Sequence, residues 1–282
     1  MSDLVITPDQ FKARVRELPS LPAVVMELIA CLGNESLSSE ELAAKLSRDP
    51  ALSAKTLRMA NSAFYGMTRQ IGSIPEALTI LGMRTVRTVV VAAGVTGSFK
   101  PPQVPGFEFR GFWRHAVGTA LCGQALAHEL RMDSDIGFAA GLLHDIGRIA
   151  LACSYSDVYA KVLAHQRQHD LLLVDAERSL MGIDHAVAGA RIAEHWRFSP
   201  VIVEAIEFHH APSMHHGPGL VGLAHLADAF SHALGFSGDA DETVPPTPPD
   251  IWAAMFPGEE ACMAAFAQVQ NQFEDVCQAL QV

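Results

Sequence analysis

Long apolar runs, paired cysteines and an excess of positive charge are all scarce in this chain of 282 residues. No apolar run reaches the roughly 18 residues that crossing a bilayer takes, and the longest, around Val86 to Val95, is broken at its start by Gly82, Arg84 and Arg87. A membrane span is therefore not expected. The opening residues, Met1-Ser-Asp-Leu-Val5, lack the basic-then-apolar order of a signal peptide. The cysteines, Cys31, Cys122, Cys153, Cys262 and Cys277, are odd in number, widely spaced and without a CxxC. That pattern suits reduced thiols packed in the core of a cytoplasmic protein. No segment alternates apolar and polar residues with period two, so strands are not expected, and no repeat of fixed length is present. With 20 Lys and Arg against 31 Asp and Glu, the chain lacks the basic stripe that direct nucleic-acid binding requires.

What is present is uneven. Residues 1–114 carry a net charge of +3, the remainder carries −14, and all 13 histidines lie at or after His115. An acidic, histidine-rich second part is suited to cations. Within it, Gly141-Leu-Leu-His-Asp-Ile-Gly-Arg148 sets a His-Asp pair in an otherwise apolar helix expected over 135–152. Buried polar groups need partners, and a divalent metal is one partner that imidazole and carboxylate share.

The local signals are helical nearly throughout. Ser38 and Glu41 have capping-box spacing, and Asp49-Pro50 is an N-cap followed by proline at the first helical position. Ser73 to Glu76 repeats the start signal before Gly82, and Asp184 and Ser199-Pro200 open later helices. The expected fold is all-α, an N-terminal helical bundle packed against a second helical bundle. Residues 1–105 form the first, 106–238 the second, and 239–282 a proline-rich linker with a short amphipathic tail.

The candidate ligands lie on or beside apolar faces of successive helices: His115, His144, Asp145, His185, His209, His210 and Asp228. Each alone is explained by core packing, but helical bundles project such groups inward to one point. His225 shares a helix side with Asp228 and His232, as an accessory ligand, an outer hydrogen-bond donor, or a surface or interface residue. His215 and His216 fall in a Gly/Pro loop. Asn61, Phe64, Tyr65 and Gly66 read as a helix end or as a partner-docking edge.

The order His115, then His144-Asp145, then Asp228 resembles the signature of the HD metal-dependent phosphohydrolases. His185 and His209-His210 match the wider ligand set of the HD-GYP branch. Three N-terminal segments narrow the resemblance. Leu18-Pro-Ser-Leu-Pro22, Asp49 to Gly66 (with Leu57-Arg-Met-Ala-Asn-Ser-Ala-Phe64) and Ile71-Gly-Ser-Ile-Pro-Glu-Ala-Leu-Thr-Ile-Leu-Gly82 are similar to the HDOD family of bacterial signalling output domains. The likeness runs from about residue 14 to about residue 235. It implies an N-terminal helical bundle against an HD-like one, and a regulatory role through a signalling protein partner or a small ligand. It also implies a two-metal scheme in which Asp145 bridges, His115, His144 and Asp228 complete one ion, and His185, His209 and His210 the other. One or two divalent ions per chain are expected, with iron, manganese, zinc and nickel all admitted. If the chain is an enzyme, the expectation is a metal-dependent phosphohydrolase acting on a phosphate-containing small molecule, with Asp145 and Arg148 as catalytic residues. The chain departs from HD-GYP enzymes in three places. Gly111 stands where they have a glutamate, Arg148 where they have a lysine, and no Gly-Tyr-Pro follows His210. These departures weigh against cleavage of cyclic di-GMP. A hydrogen-bonded polar core without metal is a third reading.

Overall fold

The computed structural model describes residues 5–31, 37–62, 67, 69–214, 219–238 and 243–282. Phe64, Tyr65, Gly66, His215 and His216 lie outside the described residues, and so does the docking edge read at the first two. Among the described residues the fold is all-α, with no strand. The helices are α1 (Pro8–Val15), α2 (Ala23–Ala30), α3 (Ser39–Leu46), α4 (Pro50–Ala60), α5 (Ile74–Ser98), α6 (Phe109–Glu129), α7 (Ser134–Leu143) and α8 (Ile146–Ser154). They continue with α9 (Ser156–His169), α10 (Leu173–Met181), α11 (His185–His195), α12 (Pro200–Phe208), α13 (Gly219–Ala233), α14 (Pro249–Met255) and α15 (Glu259–Leu280).

Local bonds start these helices. Ser38 and Glu41 make both bonds of a capping box, Asp49 accepts from the amides of Ala51 and Leu52, and Asp184 accepts from Val187 N–H. Each satisfies amides that the first helical turn leaves open. Gly82, at φ 79° and ψ 159°, kinks α5, a conformation closed to most side chains.

One apolar core runs through both halves of the chain. The first helix joins the second half: α1 packs on α11, and Ile6 N–H donates to Met181 O at 2.7 Å. The C-terminal α15 packs on α4, α5 and α6, closing the seam between the halves.

Three sequence expectations change. The single helix over 135–152 is two helices, α7 and α8, parted at His144-Asp145. Asp145, at φ −99° and ψ 8°, leaves helical geometry, and the break turns both side chains to the same side. Two stretches, Ile74–Ser98 and Ser134–Ser154, are long and apolar enough to cross a membrane by length and composition. The sparse arginines of the first do not dilute its apolarity enough. Burial accounts for that composition in each: 56% of an 18-residue apolar window in the first and 83% of one in the second lies inside the fold. Finally, Cys153 is exposed and Cys31 half-buried, whereas Cys122, Cys262 and Cys277 are buried. Core packing therefore explains three thiols, and Cys153 falls on the outer face of the last turn of α8.

Candidate metal centre

Helix ends and close helix contacts build the centre. A Cβ on Gly141 would lie 2.4 Å from Thr119 O, so the glycine lets α7 press against α6, which carries His115. A Cβ on Gly147 would lie 1.9 Å from His185 O and 2.7 Å from Gly189 N, so this glycine lets α8 touch the start of α11. Both contacts leave no room for a side chain. The glycines that flank the His-Asp pair thus bring two other helices, α6 and α11, to it.

All seven predicted ligands converge. Nε2 of His115 lies 3.2 Å from Nε2 of His144 and 3.0 Å from Asp228 Oδ1. His144 Nε2 is 3.4 Å from the same Asp228 oxygen and 3.6 Å from Asp145 Oδ2. The other oxygen of Asp145, Oδ1, lies 3.1 Å from His185 Nε2 and 3.7 Å from His209 Nε2. His185 Nε2 meets His210 Nε2 at 2.7 Å. Asp145 therefore offers one oxygen to each of two groups: His115 with His144, and His185 with His209 and His210.

The rings are held from behind. His144 Nδ1 donates to Gly141 O at 2.7 Å, and His209 Nδ1 donates to Ile206 O at 2.7 Å. Each histidine follows the end of its helix, so the bond also satisfies an open carbonyl there. With Nδ1 donating, each ring turns Nε2 toward the centre, where its lone pair serves a cation once the ring is neutral. Nε2 of His209 is buried with no hydrogen-bond partner among the described residues. Within each group the ligand atoms lie within 4.8 Å of one another, a spread compatible with bonds of about 2.0–2.2 Å to a shared ion. The donor set, its inward lone pairs and its spacing fit divalent cations.

Charges follow the same plan. Burial pushes the Asp145 carboxyl up, but His144, Arg148 and His185 together outweigh it and hold it well below the usual range. Burial likewise opposes His232, His115 and His144 at Asp228, and the imidazoles prevail, so that carboxyl too is lowered. His115 is pulled down by burial and by His232, against Asp228. Burial, then His144 and His185, push His209 down to about 3, and burial with His209 lowers His210. At neutral pH these groups give two anionic carboxylates facing three uncharged imidazoles.

Two rings shift the other way: burial lowers His144, but Asp145 and Asp228 outweigh it and raise it, and His185 follows the same pattern. Burial lowers it, but Glu177 and Asp145 outweigh burial and raise it to about 10. It holds a proton at neutral pH until an ion takes its lone pair. Uptake at this position is therefore expected to release about one proton. Affinity for Mn²⁺ should then rise about tenfold per pH unit from about pH 7 to 9, below that pKa. Calorimetric titration in buffers of different ionisation heat measures both quantities, and an affinity flat across that window would contradict the assignment.

Three residues join that the sequence did not place among the ligands. His232 Nε2 lies 3.1 Å from Asp228 Oδ1 and forms a third group with His115 and Asp228; its i+4 spacing from Asp228 was the available signal. His225 is buried, with Nδ1 donating to His209 O at 2.7 Å. A surface role for it is excluded, because α13 turns that face inward. Glu177 is fully buried behind His185, and nothing in its sequence neighbourhood marks it.

Arg148 donates to Asp145 Oδ2 at 2.7 Å. Its buried Nε has no hydrogen-bond partner among the described residues. A cleft of about 850 Å³ opens onto His115, Asp145, His185, His210 and Asp228, and Arg110, Arg114, Arg148 and Arg167 line it. A separate cavity of about 280 Å³ lies between α5, α6, α7 and α15, and none of the predicted site residues lines it.

The chain matches the HDOD domain family over residues 18–212. It is similar to a solved structure of a candidate phosphohydrolase from Shewanella amazonensis SB2B, 29% identical with a TM-score of 0.76, covering 96% of this chain and 97% of that one. An HDOD domain protein of unknown function from Geobacter sulfurreducens shares the fold, with a TM-score of 0.79 at 20% identity over 97% and 98% of the two chains. An uncharacterized protein of Treponema pallidum (strain Nichols) is 25% identical over 207 residues, 73% of this chain. The match spans 39% of that relative's length.

Proposed function

This chain belongs to the HDOD domain family, and from that premise we propose that its histidine–aspartate centre binds two divalent cations and hydrolyses a phosphoester. The observation that carries this reading is access. The arginine-lined cleft reaches both sides of Asp145, whereas an ion serving structure alone needs no opening. The similarity to the Shewanella protein described as a candidate phosphohydrolase supports the same reading.

His115 and His144, with Asp228 beside them, would hold one ion, and His185, His209 and His210 the other, with Asp145 shared. Bound there, the cations would supply Lewis-acid polarisation of a phosphoryl oxygen. The chain's own groups do the rest. Arg148 is anchored on Asp145 and lines the cleft, where its guanidinium brings positive charge toward a phosphate oxygen. Arg110 and Arg167 give an otherwise acidic protein a positive approach to the centre. Phe107 and Phe112, also in the cleft wall, provide an apolar surface for the organic part of the ester.

A second reading, binding without turnover that is relayed to a signalling protein, draws on Trp252 and Met263. These are 41% and 62% exposed on α14 and α15, and such large apolar side chains suit a partner surface. One experiment separates the readings. Protein purified without chelator is assayed for metal by mass spectrometry and for hydrolysis of bis(p-nitrophenyl) phosphate with added Mn²⁺, beside His144→Ala. About two ions per chain and turnover lost by at least ~100-fold in the variant are expected. Bound ions with no turnover across phosphomonoesters and phosphodiesters would favour the relay. A wild type that takes up neither Mn²⁺, Fe²⁺ nor Zn²⁺ ends the metal reading.

A further inference from the structure

We propose that Glu177 is a positioning residue for one ion position only, the one built on His185, and that it makes the two positions separable. This rests on the two-cation reading above. Glu177 is wholly buried on α10. Its Oε2 accepts twice from one residue, from the backbone N–H of His185 at 2.8 Å and from the ring Nδ1 at 2.6 Å. Its Oε1 accepts from the Tyr159 hydroxyl of α9 at 2.8 Å.

His185 differs in this respect from other rings of the centre. The Nδ1 atoms of His144 and His209 are held by neutral backbone carbonyls, which fix a ring without adding charge. A fully buried carboxylate is costly, and a carbonyl is sufficient to orient an imidazole. What a carboxylate adds is negative charge behind the ring, which makes the opposite nitrogen a stronger donor to a cation. Within the group of Asp145, His185, His209 and His210 only Asp145 is anionic, and Asp145 also serves the other group and Arg148. Glu177 supplies the charge that this position otherwise lacks.

The same residue ties in a wall of the cleft. Tyr159 and Glu177 link α9 and α10, and the stretch from Leu163 to Val174 that lines the cleft belongs to this hairpin. Filling the His185 position therefore also steadies that wall.

The test compares wild type with Glu177→Ala, Glu177→Gln and Tyr159→Phe. Stepwise Mn²⁺ titration, followed by electron paramagnetic resonance and mass spectrometry, counts ions. Nuclear magnetic resonance of the metal-free proteins follows the His185 Hδ1 proton that Glu177 holds. Two ions are expected in wild type and one in Glu177→Ala, with the remaining affinity within about twofold of wild type. Glu177→Gln should retain two ions, the second weakened at least tenfold, because it keeps the acceptor and loses the charge. Tyr159→Phe should retain both ions. The His185 Hδ1 signal should vanish in Glu177→Ala and persist in Tyr159→Phe.

Two ions of unchanged affinity in Glu177→Ala would overturn the proposal. So would loss of both ions together in Glu177→Ala and Glu177→Gln with the melting temperature kept, since the positions would not be separable. If Glu177→Ala fails to fold, Glu177→Gln carries the test. If wild type binds no ion, the two-cation reading fails on its own account. Persistence of the Hδ1 signal in Glu177→Ala would then overturn the positioning role as well.

Discussion

Asp145→Ala should empty both ion positions at once and destabilise the protein by about 3–5 kcal/mol. Asp145 offers Oδ1 to His185 and His209, and Oδ2 to His144 and Arg148. Among the described residues no other belongs to both the His144 group and the His185 group. Its removal leaves the part-buried Arg148 guanidinium without the carboxylate that neutralised it, and leaves His185 with Glu177 alone. Uncompensated buried charge is among the few single-site changes that cost this much. Asp145→Asn separates the effects, because it keeps the shape and loses the charge. It should fold better than the alanine variant and still bind fewer than one ion per chain. Metal analysis and denaturant unfolding measure these outcomes. Full ion content in Asp145→Asn would show that the carboxylate is not shared.

Gly147→Ala should be as damaging, although it adds a single methyl group and removes no charge. That methyl would sit 1.9 Å from His185 O and 2.7 Å from Gly189 N, and both are backbone atoms that cannot rotate away. Relief requires α8 and α11 to part. The expected cost is about 3 kcal/mol, at the upper end for overpacking, or a fall of roughly 6–10 °C in melting temperature. The function at the centre should suffer more than stability does. His185 is the first residue of α11, and the parting moves it away from Asp145. Ion content should fall toward one per chain while His115 and His144 keep theirs. An unchanged melting temperature with two ions bound would refute the close-contact account.

What the order of residues revealed and what it concealed divide along a physical line. Helix starts were readable because each depends on bonds among residues two to three apart, as at Ser38 with Glu41 and at Asp49. The ligand candidates were readable because imidazoles and carboxylates stood out in apolar surroundings. The break between α7 and α8 was not readable, since Gly141 to Arg148 has no proline and its apolar periodicity runs on. Packing against α6 and α11 makes that break, through the two glycines.

Glu177 was equally hidden. It lies eight residues before His185 on an amphipathic helix, and only the packing of α10 against α9 and α11 buries it. His232 differs, because its spacing from Asp228 already put both on one side of α13, and only the approach of His115 gives that side its meaning. By itself, the sequence determined an all-helical chain, its helix starts and the residue types able to hold cations, because these follow from neighbours along the chain and from side-chain chemistry. The tertiary structure alone decided that Asp145 faces two groups, that Glu177 backs one of them and that a cleft reaches both. Those are relations among helices far apart in sequence, and close packing of backbone against backbone brings them together.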